Sequence, residues 1–360
     1  GTTCSVLKHI CDASGVRTQI GGNFGLAMLD LIAQLDDLDF VILELSSFQL
    51  MDFAGRSEGR GGFDISIFLR TTSEHLDWHV DQEEYLWAKT QLTSRQSSEQ
   101  FLIVNADSAH AVSMAQDSLA KVISFGDHEV GSNSDLGLKA HYELDELNGP
   151  IHFDSGVYFL KDGLLLGPHQ RENLSAAYLA ARLMNIDSSE AIDAIKTFPG
   201  LDMRAQVVGN QAGIRFINDS YATRPDATIA AINMVQEEPL ALILGGSEKY
   251  ADFDELAEAI SVHRSLKFII LIGLTSARLK SLISERDSVN SLVIKEAQSL
   301  SEACELGVEG LGEESEVESS IGGTLLLSPA CASFGLFKNY KDRGTQFNIW
   351  VKNFIESNRV

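Results

Sequence analysis

The chain has 360 residues, 44% apolar and 22% charged, an ordinary balance for a soluble globular protein and enough length for two cores. Its 51 acidic against 28 basic residues give a formal charge of −23, which argues against nucleic acid as a partner because phosphate neutralisation needs clustered cations. No apolar run reaches the roughly 20 residues of a membrane helix. Cys4, Cys11, Cys304 and Cys331 have neither metal-ligand spacing nor the number for a disulfide framework, so a reducing cytoplasm is the expected home.

The chain opens GTTCSVLKHI, a glycine and two threonines at the head of a helical pattern, as a phosphate-binding loop does where it meets its helix. GGNFG at 21–25 offers backbone that a ligand can approach, and a tight turn without any ligand explains it as well. FVILEL at 40–45 predicts a strand in which Glu44 interrupts an apolar run, VILELSSFQL. An unpaired buried carboxylate is costly, and a magnesium ion would compensate it. FDISIFL at 63–69 predicts a second strand, with His75 just beyond it in SEHLDWH; it is either a surface-loop histidine or a group within reach of the Glu44 ion.

FLIVN at 101–105 predicts another strand and VYFLKDGLLLG at 157–167 a hairpin, followed by helices at about 173–184 and 188–197. FPGLDMR at 198–204 breaks the pattern, and the domain boundary is placed there, giving residues 1–198 and 199–360. Strand–helix alternation then restarts with strands at 213–218, 239–246, 268–273 and 324–330, an α/β, Rossmann-like arrangement. The acidic, Ser/Gly-rich stretch EGLGEESEVESS at 309–320 is expected to be an exposed loop.

Five apolar strands run straight into polar residues, at 44–49, 70–75, 218–223, 245–249 and 328–333. In parallel α/β sheets the ligand crevice lies outside the carboxyl ends of the strands. Taken together the five suggest two sheets facing one cleft. Taken singly, each is explained by capping and turn chemistry.

With GGNFG, ELSSFQL, NDSYAT, LGGSEK and LLSPACASFGLFKNYKDRG in place, nearly the whole chain resembles the Mur ligases, ATP-dependent amide-forming enzymes of peptidoglycan precursor synthesis. SSFQL and SPACASFGLFKNYKDRG resemble the members that join D-glutamate to UDP-N-acetylmuramoyl-L-alanine. The resemblance implies a central P-loop-type ATPase domain with a mixed or parallel sheet, then a Rossmann-like C-terminal domain. It implies that the loop lysine and a uridine-nucleotide domain precede Gly1, so that residues 1–360 alone are expected to be inactive. A monomer working in the cytoplasm, without membrane insertion, is expected.

The implied roles are assigned residue by residue. Thr2 and Thr3 lie near the ATP phosphates, with Thr2, Glu44 and His75 around Mg2+. Lys89, read alone a helix-surface lysine, matches a lysine that is carbamylated in the family, which would turn a cation beside the metal into an anion. Asn23, Ser46 and Gln49 match contacts to the muramoyl-alanine part. Asn173 matches an adenine contact, and Arg204 and Asp219 match groups that close over phosphates and ribose. Thr223, Lys249 and Ser333, with Phe334 and Tyr340, match the D-glutamate pocket.

The chain departs from the family pattern at Arg70 (usually Asn), Glu74 (Asp), Gln170 (Asn), Met203 (His) and Tyr221 (Lys). Tyr221 removes a cation near the transferred phosphate, and Arg70 is a candidate replacement. An amide ligase for another amino acid, of Mur or folylpolyglutamate type, and a non-catalytic nucleotide-binding relative remain the alternatives.

Overall fold

The structure is a computed structural model that describes residues 1–54, 62–70, 78–127, 136–142, 149–158, 170–236, 238–248, 251–287, 292–313 and 322–358. Among them, those up to Pro199 form one compact unit and those from Gly200 onward a second.

The first unit runs α1 (Thr2–Ala13), β1 (Thr18–Gly22), α2 (Met28–Leu31), β2 (Phe40–Glu44), α3 (Ser47–Met51), β3 (Ile65–Phe68), α4 (Gln82–Thr90), β4 (Phe101–Asn105), α5 (Ala109–Asp117), β5 (Lys121–Phe125), β6 (Ala140–His141), β7 (Ile151–Phe153), β8 (Gly156–Tyr158), α6 (Gln170–Leu183) and α7 (Ser188–Thr197). β1 pairs with β2 in parallel, β3–β4–β5 form a parallel sheet, and β6–β7–β8 an antiparallel one. From Leu174 to Ala181 helix α6 is buried on every side. Leu174, the alanines at 176, 177, 180 and 181, Tyr178 and Leu179 are all fully buried, with α1 and α7 packed beside them. The short alanines let those neighbours approach; α1 presents Val6, Leu7, Ile10 and Cys11.

The second unit runs β9 (Gln206–Gln211), β10 (Ile214–Asn218), α8 (Pro225–Ile232), β11 (Leu240–Leu244), α9 (Asp254–Val262), β12 (Leu266–Ile272), α10 (Ser276–Arg286), β13 (Val293–Ala297), α11 (Leu300–Glu313), β14 (Gly323–Leu327) and α12 (Tyr340–Ser357). Its six-stranded sheet has the order β13–β12–β11–β14–β10–β9, parallel except for β9 against β10. LALIL and GTLLL, the sequences of β11 and β14, are buried at every position because helices cover both faces. Alternation sends Leu242, Leu244 and Leu326 into the core under α8–α10, and Ala241, Ile243, Leu325 and Leu327 into the core under α11 and α12.

Two expectations change. The acidic stretch is not loop from residue 309, because α11 continues to Glu313. Leu311 is buried, and a Cβ on Gly310 would come within 2.6 Å of the Phe268 ring, so close packing on β12 carries the helix onward. Residues 314–320 lie outside the described residues. Val157 and Tyr158 pair back onto β7, with Ile151 opposite Tyr158 and His152 opposite Val157. The hairpin among the described residues is therefore β7–β8, and the rest of the expected one, residues 159–167, lies outside them.

Candidate active site

In the second unit β11, β14 and β10 are neighbours and parallel, so three of the anticipated strand ends open on one edge of the sheet. Backbone hydrogen bonds lace them together. The amide of Asp219 donates to the Leu327 carbonyl at 2.8 Å, and that of Gly245 to Pro329 at 2.8 Å. Ser247 donates to the Ala332 carbonyl from both its amide, at 2.8 Å, and its hydroxyl, at 2.9 Å. A Cβ on Gly246 would stand 2.4 Å from that same carbonyl, so only glycine permits the approach.

Thr223, after β10, and Phe334, after β14, are exposed, whereas Ser333 is buried, its carbonyl accepting from the Phe337 amide at 3.1 Å. Lys249 lies outside the described residues. Asp219 is buried; its Oδ1 accepts from the Ala205 amide at 3.1 Å and its Oδ2 from the Ser328 hydroxyl at 2.8 Å. Burial pushes its carboxyl up to about 6, against those hydrogen bonds and the charges of Arg204 and Arg343. The Arg204 guanidinium stacks 3.8 Å over the Tyr221 ring, and Tyr221 meets Tyr340 edge-on with ring centres 5.0 Å apart.

Arg343 was not anticipated. It is fully buried on α12 and donates from Nε to Ser220 Oγ at 3.0 Å, and from its terminal nitrogens to the Ser220 and Cys331 carbonyls at 2.9 and 3.1 Å. It thereby ties the segment after β10 to the segment after β14. Burial lowers its pKa to about 10, leaving it a cation at neutral pH. A KDRG sequence at a helix start does not distinguish such an arginine from a surface one. Met203, standing where histidine is usual, packs on α12; a Cβ on Gly344 would lie 2.5 Å from its sulfur.

In the first unit β2 is only half buried along its length, Ile42 excepted, so Glu44 does not interrupt a fully buried run. Its side chain keeps 28% exposure, and its Oε2 lies against the Gly1 nitrogen at the head of α1. That oxygen is screened from solvent. Thr2 and Thr3 are buried in the first turn of α1, and the Thr3 hydroxyl donates to Asn173 Oδ1 at 2.8 Å. Asn173 in turn donates to Gln170 Oε1 at 3.0 Å. These contacts bring together Thr3 and Asn173, 170 positions apart.

GGNFG is required by the turn itself. Gly22 has φ +101°, and a Cβ there would lie 2.4 Å from the Glu44 carbonyl, which also accepts from the Asn23 amide at 2.7 Å. Ser46 and Gln49 cap α3 reciprocally: Gln49 N donates to Ser46 Oγ at 3.2 Å, and Ser46 N donates to Gln49 Oε1 at 3.0 Å. An open groove of about 300 Å3 beside Asn23, lined by Ser5, Lys8, Gln19, Ile20, Phe24, Gly25 and Leu26, holds none of the anticipated residues.

Lys89 is half buried on α4, its ammonium 5.4 Å from the centre of the Tyr85 ring. That buried tyrosine, rather than the exposed Trp87, is its aromatic neighbour. His75 lies outside the described residues. Buried His79, also unanticipated, bonds Ser47 Oγ through Nε2 at 2.9 Å and stacks on Phe48, joining α3 to the start of α4. Arg70 does not stand as an unneutralised cation. Its Nε donates to Glu172 Oε1 at 2.5 Å, and the Asp107 carboxylate lies 4.0 Å away.

Residues 1–181 match the Mur ligase middle domain, and residues 203–317 match the Mur ligase, glutamate ligase domain. A UDP-N-acetylmuramoylalanine–D-glutamate ligase of Natranaerobius thermophilus is 30% identical over 350 residues, covering 97% of this chain and 71% of its own. One from Clostridium botulinum is 32% identical over 361 residues, covering 99% and 72%. The crystal structure of MurF from Acinetobacter baumannii superposes with a TM-score of 0.63 at 15% identity, covering 99% of this chain and 74% of that one, a likeness of fold. With middle and C-terminal domains both matched, and relatives aligned along nearly its whole length, the chain belongs to the Mur ligases, a family of ATP-dependent, amide-bond-forming enzymes.

Proposed function

We propose that this ligase joins D-glutamate to UDP-N-acetylmuramoyl-L-alanine in the cytoplasm. The observation that carries the reading is that relatives bearing that activity in their names match at 30–32% identity along 97–99% of the chain. The residues assigned to D-glutamate have chemistry suited to a dicarboxylate: the hydroxyls of Thr223, Ser333 and Tyr340, with the cation of Lys249, a residue outside the described ones.

The reaction has two steps. The alanyl carboxylate takes the γ-phosphoryl group of ATP, releasing ADP and forming an acyl phosphate. The amine of D-glutamate then attacks the acyl carbon, losing a proton as the amide forms and phosphate departs. Phosphoryl transfer is mainly positioning and charge neutralisation. Thr3 and Asn173, which share a hydrogen bond, are assigned to the nucleotide, and Arg204 and Asp219 to its phosphates and ribose. Asn23, Ser46 and Gln49 orient the muramoyl-alanine part, with the reciprocal cap holding Ser46 and Gln49 in fixed rotamers.

The Glu44 carboxylate at the head of α1 is an oxygen donor of the kind a hard cation takes, and Mg2+ there would take the place of the Gly1 nitrogen on Oε2. Glu44, Thr2 and His75 would hold it, and it would supply neutralisation of phosphate charge. Lys89, if its neutral amine adds CO2 and loses a proton, would present a carbamate anion in support.

The test is ADP release by the complete gene product with UDP-N-acetylmuramoyl-L-alanine and, in turn, D-glutamate, L-glutamate, L-alanine or diaminopimelate. Release dependent on both the nucleotide substrate and D-glutamate is expected. Release with a different amino acid moves the specificity elsewhere in the family. Dependence on none of them removes the reaction.

A further inference from the structure

Arg204 occupies an unusual piece of backbone. The residues on either side of it, Met203 and Ala205, both have left-handed φ values, +61° and +46°, a region that side chains other than glycine rarely enter. Such conformations persist only where the surroundings over-determine them, and here they do. The Met203 amide donates to Gln206 Oε1 at 3.1 Å, and the Met203 carbonyl accepts from the Tyr221 amide at 3.0 Å. The Arg204 amide donates to the Leu201 carbonyl at 3.3 Å, and the Ala205 amide to the Asp219 carboxylate at 3.1 Å. The turn is therefore a fixed mount with the arginine at its apex.

The side chain it presents is held by a ring. The guanidinium carbon lies 3.8 Å from the centre of the Tyr221 ring, close enough for face-on stacking. Tyr221 is fixed on two sides, through its amide on Met203 and through edge-on contact with Tyr340 at 5.0 Å. Tyr340 is held in turn, its carbonyl accepting from the Ser220 hydroxyl at 2.8 Å. Tyr221 keeps 43% exposure, so the stack sits at the surface, where the outer face of the guanidinium can meet an anion.

We propose that Tyr221 is a positioning residue for Arg204, an aromatic platform that fixes the guanidinium over the sheet edge in place of a second cation. The phosphate that Arg204 meets rests on the ligase reading above; the platform itself rests on the stack. A lysine at this position would add charge and repel Arg204. The tyrosine lowers the mobility of the one arginine and leaves its donors in a single plane.

The experiment uses the complete gene product with Tyr221→Ala, Tyr221→Phe, Arg204→Ala and the Arg204→Ala/Tyr221→Ala pair. In spectra of 15N-labelled arginine, the Nε–H signal that Arg204→Ala removes should be displaced upfield by the ring, should persist in Tyr221→Phe and should return to the ordinary arginine position in Tyr221→Ala. In ADP-release assays Tyr221→Ala should lower kcat/KM for ATP by about fivefold and Tyr221→Phe by less than about twofold. In the Arg204→Ala background, Tyr221→Ala should add less than about twofold, because the ring acts through the arginine. An Arg204 signal indifferent to Tyr221→Ala would overturn the platform, as would an undiminished fivefold loss in the Arg204→Ala background. A protein without ligase activity whose Arg204 signal still responds to the ring would sink the reaction and leave the platform standing.

Discussion

Replacing Asp219 by Asn should stabilise the second unit above neutral pH. The carboxylate is buried, and burial pushes its pKa up to about 6 from the ordinary aspartate value near 3.9. At 1.36 kcal/mol for each pKa unit, the ionised folded state carries a penalty of at most about 3 kcal/mol. The sign follows from proton binding. Between the two pKa values the folded state holds more protons than the unfolded chain, so stability is fullest below the unfolded value and is lost as pH rises through about 6. The amide escapes the penalty and can keep the network. Its oxygen still accepts from the Ala205 amide; its NH2 donates to Ser328 Oγ, whose proton turns to Thr228 Oγ1, 3.0 Å away.

The gain should therefore be near 3 kcal/mol at pH 8 and about half of that by pH 5. Urea unfolding followed by the fluorescence of Trp350 reads this unit: that indole stacks on Phe354, whereas Trp78 and Trp87 in the other unit are largely exposed. An Asn variant destabilised equally at both pH values would refute the reasoning and show that the two hydrogen bonds hold Asp219 as an anion. On the proposed reading, which assigns Asp219 to the nucleotide, the same variant should also lose ligase activity.

Gly22→Ala should cost the first unit about 2 kcal/mol or more, because φ of +101° and a Cβ 2.4 Å from the Glu44 carbonyl both resist it; a melting temperature within a degree of the parent would contradict this. Arg70→Ala strips Glu172 of its partner in a site where burial already raises that carboxyl, so a loss of about 1 kcal/mol, discounted for the half-exposed arginine, is expected at pH 8 and less at pH 5. Equal loss at both would mean that Arg70 acts through packing. Glu44→Gln should raise the Mg2+ concentration for half-maximal activity at least tenfold, about what a lost metal contact costs, and an unchanged Mg2+ titration would remove Glu44 from the metal. Lys89→Ala should lower activity by about a hundredfold with partial recovery in added formate or acetate; full activity without added acid would leave Lys89 as a cation resting on Tyr85.

The strands of the second unit are legible because two-sided burial writes itself as continuous apolar runs, LALIL and GTLLL, bounded by turn residues. The ends of β10, β11 and β14 are legible for the same reason, since each run stops abruptly. What lies across the sheet is not. Arg343 and Ser220 are 123 positions apart, and nothing local marks either as half of a buried contact. Glu44 reads as deeper than it is because an apolar neighbourhood in sequence does not reveal that only Ile42 of β2 is buried. The α11 boundary fails through a different cause: glycine, acidic and serine content suggests loop, while Gly310 is small so that a helix can lie close on Phe268.

The order of the second sheet also sets a timetable for synthesis. β14 lies between β11 and β10, yet it is the last strand made, at 323–327. Until the ribosome has passed those residues, β10 and β11 each hold an unpaired inner edge, fully apolar on β11, facing a gap the width of one strand. A nascent chain in that state offers two open edges for pairing with another chain. Chaperone demand and aggregation during expression should therefore concentrate in the interval between the emergence of β11 and that of β14, and a stop codon falling there should yield insoluble product rather than a smaller soluble domain.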